Sequence, residues 1–399
     1  MQEKYGLSKV LVTVLLLATL TPVISDLYLP SLPFIAQAFQ VSARDVQLSL
    51  FYYLTGLALS QLIYGPLSDA IGRKVPLMVG LSLCVVGSVI CFSAQSIEFL
   101  NAGRVVQGIG AGSGIAISRS IMRDVFSGSK LAKMSSYLSI ANIAVITSAP
   151  FLGGYLQEWF HWRAGFIFLT GYTLFILFLV KQALPETGHS IQKEGFKLKV
   201  FKENVKFLLR SPIFRIFTGI ILLTYANVFA WLTTGPILLQ TKHGLSPTDF
   251  GLLCLVIGFF YAIGSLINAR LLSKYPPSKL ILMGGLLMCL GGASIIIMVV
   301  LHEEVMFALF TAVLVFLFGT SFVFGNSFAC VLTPFGNMAG TTVAVIGFFQ
   351  VLGGVLSSGL MSVFSDYGAM PMGVFILLSS SALVGLILYA LKFSGNCHD

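Results

Sequence analysis

Charged side chains are scarce in this chain of 399 residues. Asp, Glu, Lys and Arg make up 10% of it, whereas a typical soluble protein has about 25%. So few charges cannot cover a water-facing surface of this size, which excludes a soluble enzyme and a disordered chain. The six cysteines are too few for a secreted disulfide scaffold. Because 56% of the residues are hydrophobic, we expect a protein surrounded mostly by lipid.

Side chains that bind metals are few and scattered. Five of the six cysteines lie inside apolar runs, and no pair of them has the spacing of metal ligands. The five histidines fall in connecting segments or near the end of the chain. We therefore expect no metal site and no cofactor.

Long apolar runs are what the chain does contain. About 20 apolar residues cross a bilayer as a helix, and the runs lack the alternation of a membrane barrel. A signal peptide is the alternative for the first run, although that run is long and no clear cleavage site follows it. The predicted spans are 8–30, 46–67, 75–95, 99–122, 132–156, 163–184, 213–238, 248–271, 279–301, 305–330, 339–364 and 370–392.

The positions of the basic residues predict the orientation. If both termini are cytoplasmic, three of the 24 Lys and Arg residues are outside, two lie within the fourth span and the other 19 are inside. Membrane proteins keep Lys and Arg on the cytoplasmic side, so we expect a multi-pass membrane protein with both termini in the cytoplasm. This distribution also explains the net charge of +9 without a nucleic-acid partner.

The longest connection divides the chain into halves. We predict an N-terminal six-helix bundle at 1–184, a cytoplasmic linker at 185–211, a C-terminal bundle at 212–392 and a tail at 393–399. The basic linker is interpreted as a solvated segment that sets the orientation and can include a helix along the membrane surface; a specific lipid site is the alternative. Similar segments at 65–74 and 264–274 follow the second and eighth spans, which indicates duplicated units typical of transporters.

The segment 65–74 contains the strongest motif. Its glycines favour a tight turn, and its opposite charges lie near helix ends, on the side where Asp124 ends the fourth span. We expect an ion pair between Arg73 and Asp124 that forms in one conformation and breaks in another. The alternative is a loop that only sets orientation. The predicted latch consists of Gly65, Asp69, Gly72, Arg73, Lys74, Arg123 and Asp124.

Two charged residues lie at similar depth inside predicted spans. Asp26 is near the outer end of the first span, and Arg104 is about six residues inside the fourth. Because intramembrane charges are expensive, both are candidate functional residues, and we expect them to communicate directly or through water. An acid at a helix end, in contact with water at the outer leaflet, is the alternative for Asp26.

These motifs resemble the major facilitator superfamily. The segment 65–74 matches the pattern G-x-L-x-D-x-x-G-R-K/R, and residues 104–112 match R-x-x-Q-G-x-G-x-G. Residues 26–33 and 119–124 are similar to the Bcr/CflA subfamily of multidrug:proton antiporters, which includes EmrD-like exporters. The resemblance implies an all-α fold of twelve transmembrane helices in two pseudo-symmetric six-helix bundles, and a role in proton coupling for Arg104.

Further candidates lie in the fifth and seventh spans. Ala149, Pro150, Gly153 and Gly154 resemble the antiporter motif G-P-x-x-G-G, with Ala in place of the first Gly; close packing alone is the alternative. In the seventh span, steps of three and four place polar and aromatic residues on one face, which suits either a cavity wall or hydrogen bonds between helices. The predicted cavity residues are Asn142, Thr224, Asn227, Trp231, Thr234, Asn326 and Gln350.

The resemblance implies a proton-coupled exporter of amphipathic drugs or related small molecules. The two halves predict alternating access about a midplane site, and we expect a monomer in the bacterial inner membrane. A dedicated transporter of one metabolite, such as an amino acid or a siderophore, is the nearest alternative. A membrane-embedded enzyme would need convergent reactive groups at one depth, and a channel would need a filter sequence. The sequence indicates neither. The expected partners are a small-molecule substrate, protons and the lipid bilayer.

Overall fold

The computed structural model describes residues 7–126, 128–187, 198–301 and 306–393. Fourteen α-helices lie in these ranges, and short 3₁₀ or π-helical turns follow several of them. Residues 188–197 of the predicted linker and 394–399 of the predicted tail lie outside the described residues.

The chain forms two compact units, each described by itself. The first unit consists of Met1–Val41, Tyr52–Lys202 and Pro247–Gly251. The second consists of Ser42–Phe51, Glu203–Ser246 and Leu252–Asp399. Helix bounds in the first half are α1 Leu7–Asp26, α2 Leu32–Phe39, α3 Ala43–Ile71, α4 Lys74–Phe92, α5 Ile97–Val125, α6 Gly128–Phe160 and α7 Trp162–Ala183.

The second half has the same all-helical character. α8 joins the two halves and is amphipathic, whereas the later helices are apolar throughout most of their length. The bounds are α8 Leu198–Arg210, α9 Pro212–Ile237, α10 Pro247–Leu271, α11 Pro277–Val300, α12 Met306–Leu332, α13 Ala339–Val363 and α14 Met370–Phe393.

Eleven helical segments in the described ranges are long and apolar enough to cross a membrane. They correspond to every predicted span except the fourth. α5, which covers the predicted span 99–122, has 29 residues and is long enough, but its glycines and its five charged residues lower its hydropathy. The predicted all-α membrane fold is therefore confirmed, whereas the number of twelve spans remains a prediction.

The predicted first span contains a helix break near its outer end. α1 ends at Asp26 instead of continuing to residue 30, and a 3₁₀ turn, Leu29–Ser31, leads into α2. Pro30 and Pro33 explain the break, because proline lacks an N–H and disfavours helical geometry in the residue before it. The break places Asp26 at the end of a helix.

The segment 65–74 is mostly helical instead of a loop. α3 continues to Ile71, and only Gly72 and Arg73 separate it from α4. Gly72 has a φ of +94°, a conformation that residues with a side chain rarely adopt. The tight turn predicted for this segment therefore depends on Gly72, whereas Gly65 lies inside the helix.

Large apolar side chains are exposed on the outside of the helices. Trp159, Leu266, Phe307 and Leu378 are each at least 65% exposed. A soluble protein rarely leaves so much apolar surface in contact with water, whereas a lipid-facing surface requires it. Polar residues are instead buried between helices, and one group of them lies around α5 in the first unit.

Candidate functional site

Arg104 is the largest fully buried side chain of the described residues. It lies on α5, which packs against α1 and α4. Its Nη1 donates to the carbonyl oxygen of Ile24 at 3.3 Å and to Oε1 of Gln107 at 2.6 Å. Gln107 donates in turn to the hydroxyl of Ser88 at 2.7 Å. A chain of polar contacts therefore links α1, α5 and α4.

Two tyrosine rings cover the guanidinium of Arg104. Its Cζ lies 4.1 Å from the ring centroid of Tyr28 and 4.3 Å from that of Tyr53. Cation–π contacts of this kind stabilise a cation that has been removed from water. Sequence reasoning missed both tyrosines as site residues, although Tyr28 belongs to the quoted motif at 26–33.

Asp26 is buried at the end of α1. Its side chain accepts a hydrogen bond of 2.5 Å from the hydroxyl of Ser25, and the residue is 4% exposed. Asp26 is therefore not the water-exposed acid at a helix end that the sequence left open.

Asp26 and Arg104 belong to one site without forming an ion pair. Arg104 contacts Ile24 and Tyr28, which lie two residues before and two residues after Asp26, but no ion pair within 4.0 Å joins the described residues Asp26 and Arg104. Nε and Nη2 of Arg104 are buried and have no hydrogen-bond partner in the described part of the chain. These two nitrogens form the edge of the guanidinium that binds a carboxylate in a bidentate manner.

The predicted pair between Arg73 and Asp124 is present. Nε of Arg73 lies 2.9 Å from Oδ2 of Asp124, and Nη1 contacts Asp69 and the hydroxyl of Ser68. Burial lowers the pKa of Arg73, but the hydrogen bonds to Asp124 and Asp69 outweigh burial and raise that pKa above its ordinary value. The guanidinium of Arg73 therefore stays charged.

Arg123 takes no part in that network. Its side chain is exposed, and its Nη2 donates to the hydroxyl of Ser120 at 3.4 Å. The prediction that Arg123 belongs to the latch is therefore not supported by its contacts.

Glu186 is a member of the cluster that sequence reasoning missed. Its carboxylate accepts hydrogen bonds from the backbone N–H groups of Arg73, at 2.7 Å, and Lys74, at 3.1 Å. Nζ of Lys74 donates to the carbonyl oxygens of Lys181 and Leu184 at the end of α7. An acid therefore binds the N-terminus of α4, and a base binds the C-terminus of α7, as the helix dipoles favour.

We expect Glu186→Ala to destabilise the protein by about 0.5–2 kcal/mol, because the first N–H groups of α4 lose their acceptor. Glu186→Gln keeps an acceptor and is expected to lose less. Thermal unfolding of the purified protein measures both variants, with Glu203→Ala, an exposed acid on α8, as the matched control. Equal melting temperatures for wild type and Glu186→Ala would contradict the assignment.

The antiporter-like motif packs against the end of α1. A β-carbon at Gly153 would collide with the carbonyl oxygen of Leu27, the residue after Asp26. A β-carbon at Gly154 would collide with the carbonyl oxygen of Pro247. Ala149 and Pro150 are buried on the same helix. The motif therefore brings α6 into backbone contact with the segment that carries Asp26.

The predicted cavity face of α9 is buried among helices. Thr224, Asn227, Trp231 and Thr234 are all at most 8% exposed, and α9 packs against α12, α13 and α14. Nδ2 of Asn227 donates to Ser380 at 3.1 Å, and the hydroxyl of Ser379 donates to Oδ1 of Asn227 at 2.5 Å. These contacts are hydrogen bonds between helices, which was the alternative to a cavity wall for this face of α9.

Asn326 also pairs with another helix. Its Nδ2 donates to Oδ1 of Asn268 at 2.8 Å, and Asn268 is the residue of the second-half segment that corresponds to Asp69. In the second half, a neutral pair of amides therefore lies at the position where the first half has the ionic cluster. Asn142 and Gln350 are half-buried, so of the predicted polar residues they remain the most accessible.

We expect Asn227→Ala to lower stability by about 1–3 kcal/mol, because Ser379 and Ser380 lose a buried partner. Substrate affinity of the folded fraction should be unchanged. Asn142→Ala is the matched control for stability, since the side chain of Asn142 donates within its own helix, to the carbonyl oxygen of Leu138. A stable Asn227→Ala protein with weaker substrate binding would restore the interpretation as a cavity wall.

A family model describes most of this chain. The model of the Major Facilitator Superfamily matches residues 14–358. The chain belongs to the major facilitator superfamily. The matched range includes Asp26, Arg104 and the ionic cluster around Arg73.

Two curated relatives have names that indicate drug resistance. A bicyclomycin resistance protein homolog from Haemophilus influenzae is 26% identical, and the alignment covers 91% of each chain. Multidrug resistance protein D from Escherichia coli is 25% identical over 96% of each chain. Both names agree with the resemblance to the Bcr/CflA subfamily of the superfamily.

A solved structure shows the same fold. The xylose transporter XylE from E. coli, in a partially occluded inward-open conformation, superimposes with a TM-score of 0.75 at 14% identity and covers 98% of both chains. At this identity the similarity shows the fold alone.

Proposed function

We propose that the protein is a proton-coupled secondary transporter that exports amphipathic drugs or related small molecules by alternating access. The observation that carries the proposal is the buried guanidinium of Arg104. It has two unpartnered nitrogens and contacts Ile24 and Tyr28 on either side of Asp26. The names of the relatives support drugs as the class of substrate.

Asp26 is proposed to carry the proton. When ionised, the carboxylate attracts Arg104, whose Nε and Nη2 can bind it in a bidentate manner. When protonated, it loses that attraction, and Arg104 keeps its contacts with Gln107 and Ile24. The two forms therefore favour different arrangements of α1 and α5, which is how protonation would bias the inward-open and outward-open states.

The driving force is the proton gradient. Each charge that crosses the membrane contributes about 2.3 kcal/mol per 100 mV, in addition to the pH difference. The ionic cluster of Arg73, Asp69 and Asp124 is proposed to stabilise one of the two states. Lys74 and Glu186 would hold the turn that presents Arg73.

The proposal includes the finer topology. α5 is counted as the fourth of twelve spans, which form bundles at 1–184 and 212–392, with the linker 185–211 and the tail 393–399 in the cytoplasm. Arg104 supports this count, because its aliphatic stem and guanidinium are buried within the helix bundle of the first unit. The proposed location is the bacterial inner membrane, with the protein as a monomer.

Reconstitution tests the proposal. The purified protein is placed in vesicles with an imposed pH gradient. It should transport a fluorescent amphipathic cation, and proton movement should be measurable in parallel. Abolishing the gradient with a protonophore should stop accumulation. Substrate flux that ignores the gradient would contradict proton coupling.

A growth-inhibition panel, with and without expression, tests the class of substrate. Protection against several unrelated amphipathic drugs supports the proposal. A nutritional phenotype without any change in drug sensitivity would instead indicate dedicated transport of one metabolite.

A further inference from the structure

α8 has a basic stripe that the transport mechanism does not use. Lys199, Lys202, Lys206 and Arg210 follow one another at steps of three, four and four residues. At 3.6 residues per turn, these steps place all four within about 80° of one another around the helix axis. The stripe is about 16 Å long at 1.5 Å per residue, so it can contact several small anionic groups.

The cations of the stripe are exposed and outnumber the acids on their own helix. All four side chains are exposed, and the ion pairs of Arg73 with Asp69 and Asp124 do not involve them. Glu203 is the acid on this helix, and it is exposed beside the stripe. Four positive charges against one negative charge leave a strongly basic surface.

Apolar side chains flank the stripe. Leu208 is fully buried on the opposite face, whereas Val200, Phe207 and Leu209 are between 40% and 56% exposed. The ring of Phe207 lies edge-on to that of Phe335, with centroids 6.4 Å apart, so α8 is fixed to the protein at this point. Basic and apolar surfaces side by side characterise a helix that lies in a membrane interface.

The position of α8 in the chain also favours a membrane surface. Only Ser211 separates α8 from α9, and the hydroxyl of Ser211 accepts from the backbone of Phe214 to begin that helix. α9 is long and apolar enough to cross a membrane. Basic clusters directly beside a span attract anionic lipid headgroups.

We propose that the stripe of α8 is a binding surface for anionic phospholipid headgroups. Charge complementarity selects an anionic partner, and the exposed apolar side chains beside the stripe select a lipid over a soluble polyanion. The positive-inside rule requires only that basic residues lie on one side of the membrane. It therefore does not explain why the four cations of the stripe align on one face of α8. The stripe therefore holds α8 against the lipid surface.

Quenching by brominated lipids tests the proposal on the full-length protein. The Phe207→Trp variant places a fluorophore on α8 at an exposed position, and the same protein with Phe207 gives the background of the native tryptophans. Vesicles contain the same lipid mixture twice, with bromine either on the anionic or on the zwitterionic phospholipid. We expect anionic lipid to quench the added tryptophan at least about twofold more per mole, and salt to reduce the difference.

Two variants, each with four substitutions, complete the test. Lys199→Gln, Lys202→Gln, Lys206→Gln and Arg210→Gln together should make quenching by the two lipids equal. The matched control, with Lys133→Gln, Arg270→Gln, Lys274→Gln and Lys279→Gln, removes the same charge from exposed sites elsewhere and should keep the preference. Equal quenching in the parent protein, no quenching by either lipid, or a preference that persists without the stripe would each overturn the proposal.

Discussion

Arg104→Ala and Asp26→Asn are each expected to reduce accumulation driven by a pH gradient to the level of empty vesicles. Arg104→Ala removes the charge that responds to Asp26, and Asp26→Asn removes the group that we propose to exchange the proton. Loss of the partners of Arg104 costs about 1–3 kcal/mol, so the protein should remain folded. The measurements are gradient-driven flux and thermal unfolding on the same preparation.

Two control variants remove a charge of the same sign at exposed sites away from Arg104 and Asp26. Arg215→Ala removes an exposed cation from α9, and Asp366→Asn removes an exposed acid from the turn Ser365–Tyr367. Both should transport as the wild type does. Arg104→Lys keeps the charge but lacks the bidentate edge, so we expect it to transport poorly. Wild-type flux by folded Arg104→Ala or Asp26→Asn would remove the pair from the mechanism.

Gly153→Ala is expected to have the second largest effect. The added methyl group collides with the carbonyl oxygen of Leu27, which cannot move without displacing the end of α1. Overpacking of this kind costs about 1–3 kcal/mol, and here the displaced backbone is next to Asp26. We expect a lower melting temperature together with a loss of gradient-driven transport in the fraction that folds.

Gly171→Ala is the matched control for Gly153→Ala. Gly171 lies in α7, and nothing is within 4 Å of the place of its β-carbon. The same substitution at this site should leave stability unchanged or raise it slightly, because alanine favours helices. If Gly153→Ala melts and transports as Gly171→Ala does, the contact of α6 with the end of α1 has no role in coupling.

The sequence predicted the helices well because the bilayer imposes their length. Most predicted spans begin and end within about four residues of the observed helices, as expected for boundaries read from hydropathy. In the first span, the apolar run continues through Asp26 and hides the break that Pro30 and Pro33 cause. Hydropathy measures the run, whereas proline determines where the helix ends.

Contacts between distant residues were predicted only where charge or a known motif indicated them. Arg73 and Asp124 were paired correctly because opposite charges on one side of a membrane have few alternatives. Asn227 and Asn326 were predicted as cavity residues, because a polar stripe looks the same whether it faces a substrate or serines on another helix. Glu186 and Tyr53 gave no local signal, since their partners are far away in the sequence.

The hydrogen bond from Arg104 to Ile24 has a consequence for the end of α1. The last carbonyl groups of a helix lack partners within it, and here a cation from another helix satisfies one of them. A movement of Arg104 towards Asp26 removes that donor, so the last turn of α1 becomes easier to open. Deuterium uptake at Ser25, Asp26 and Leu27 should therefore rise and fall with the pH of the outer solution. The opening of this helix end would then report directly on the protonation of Asp26.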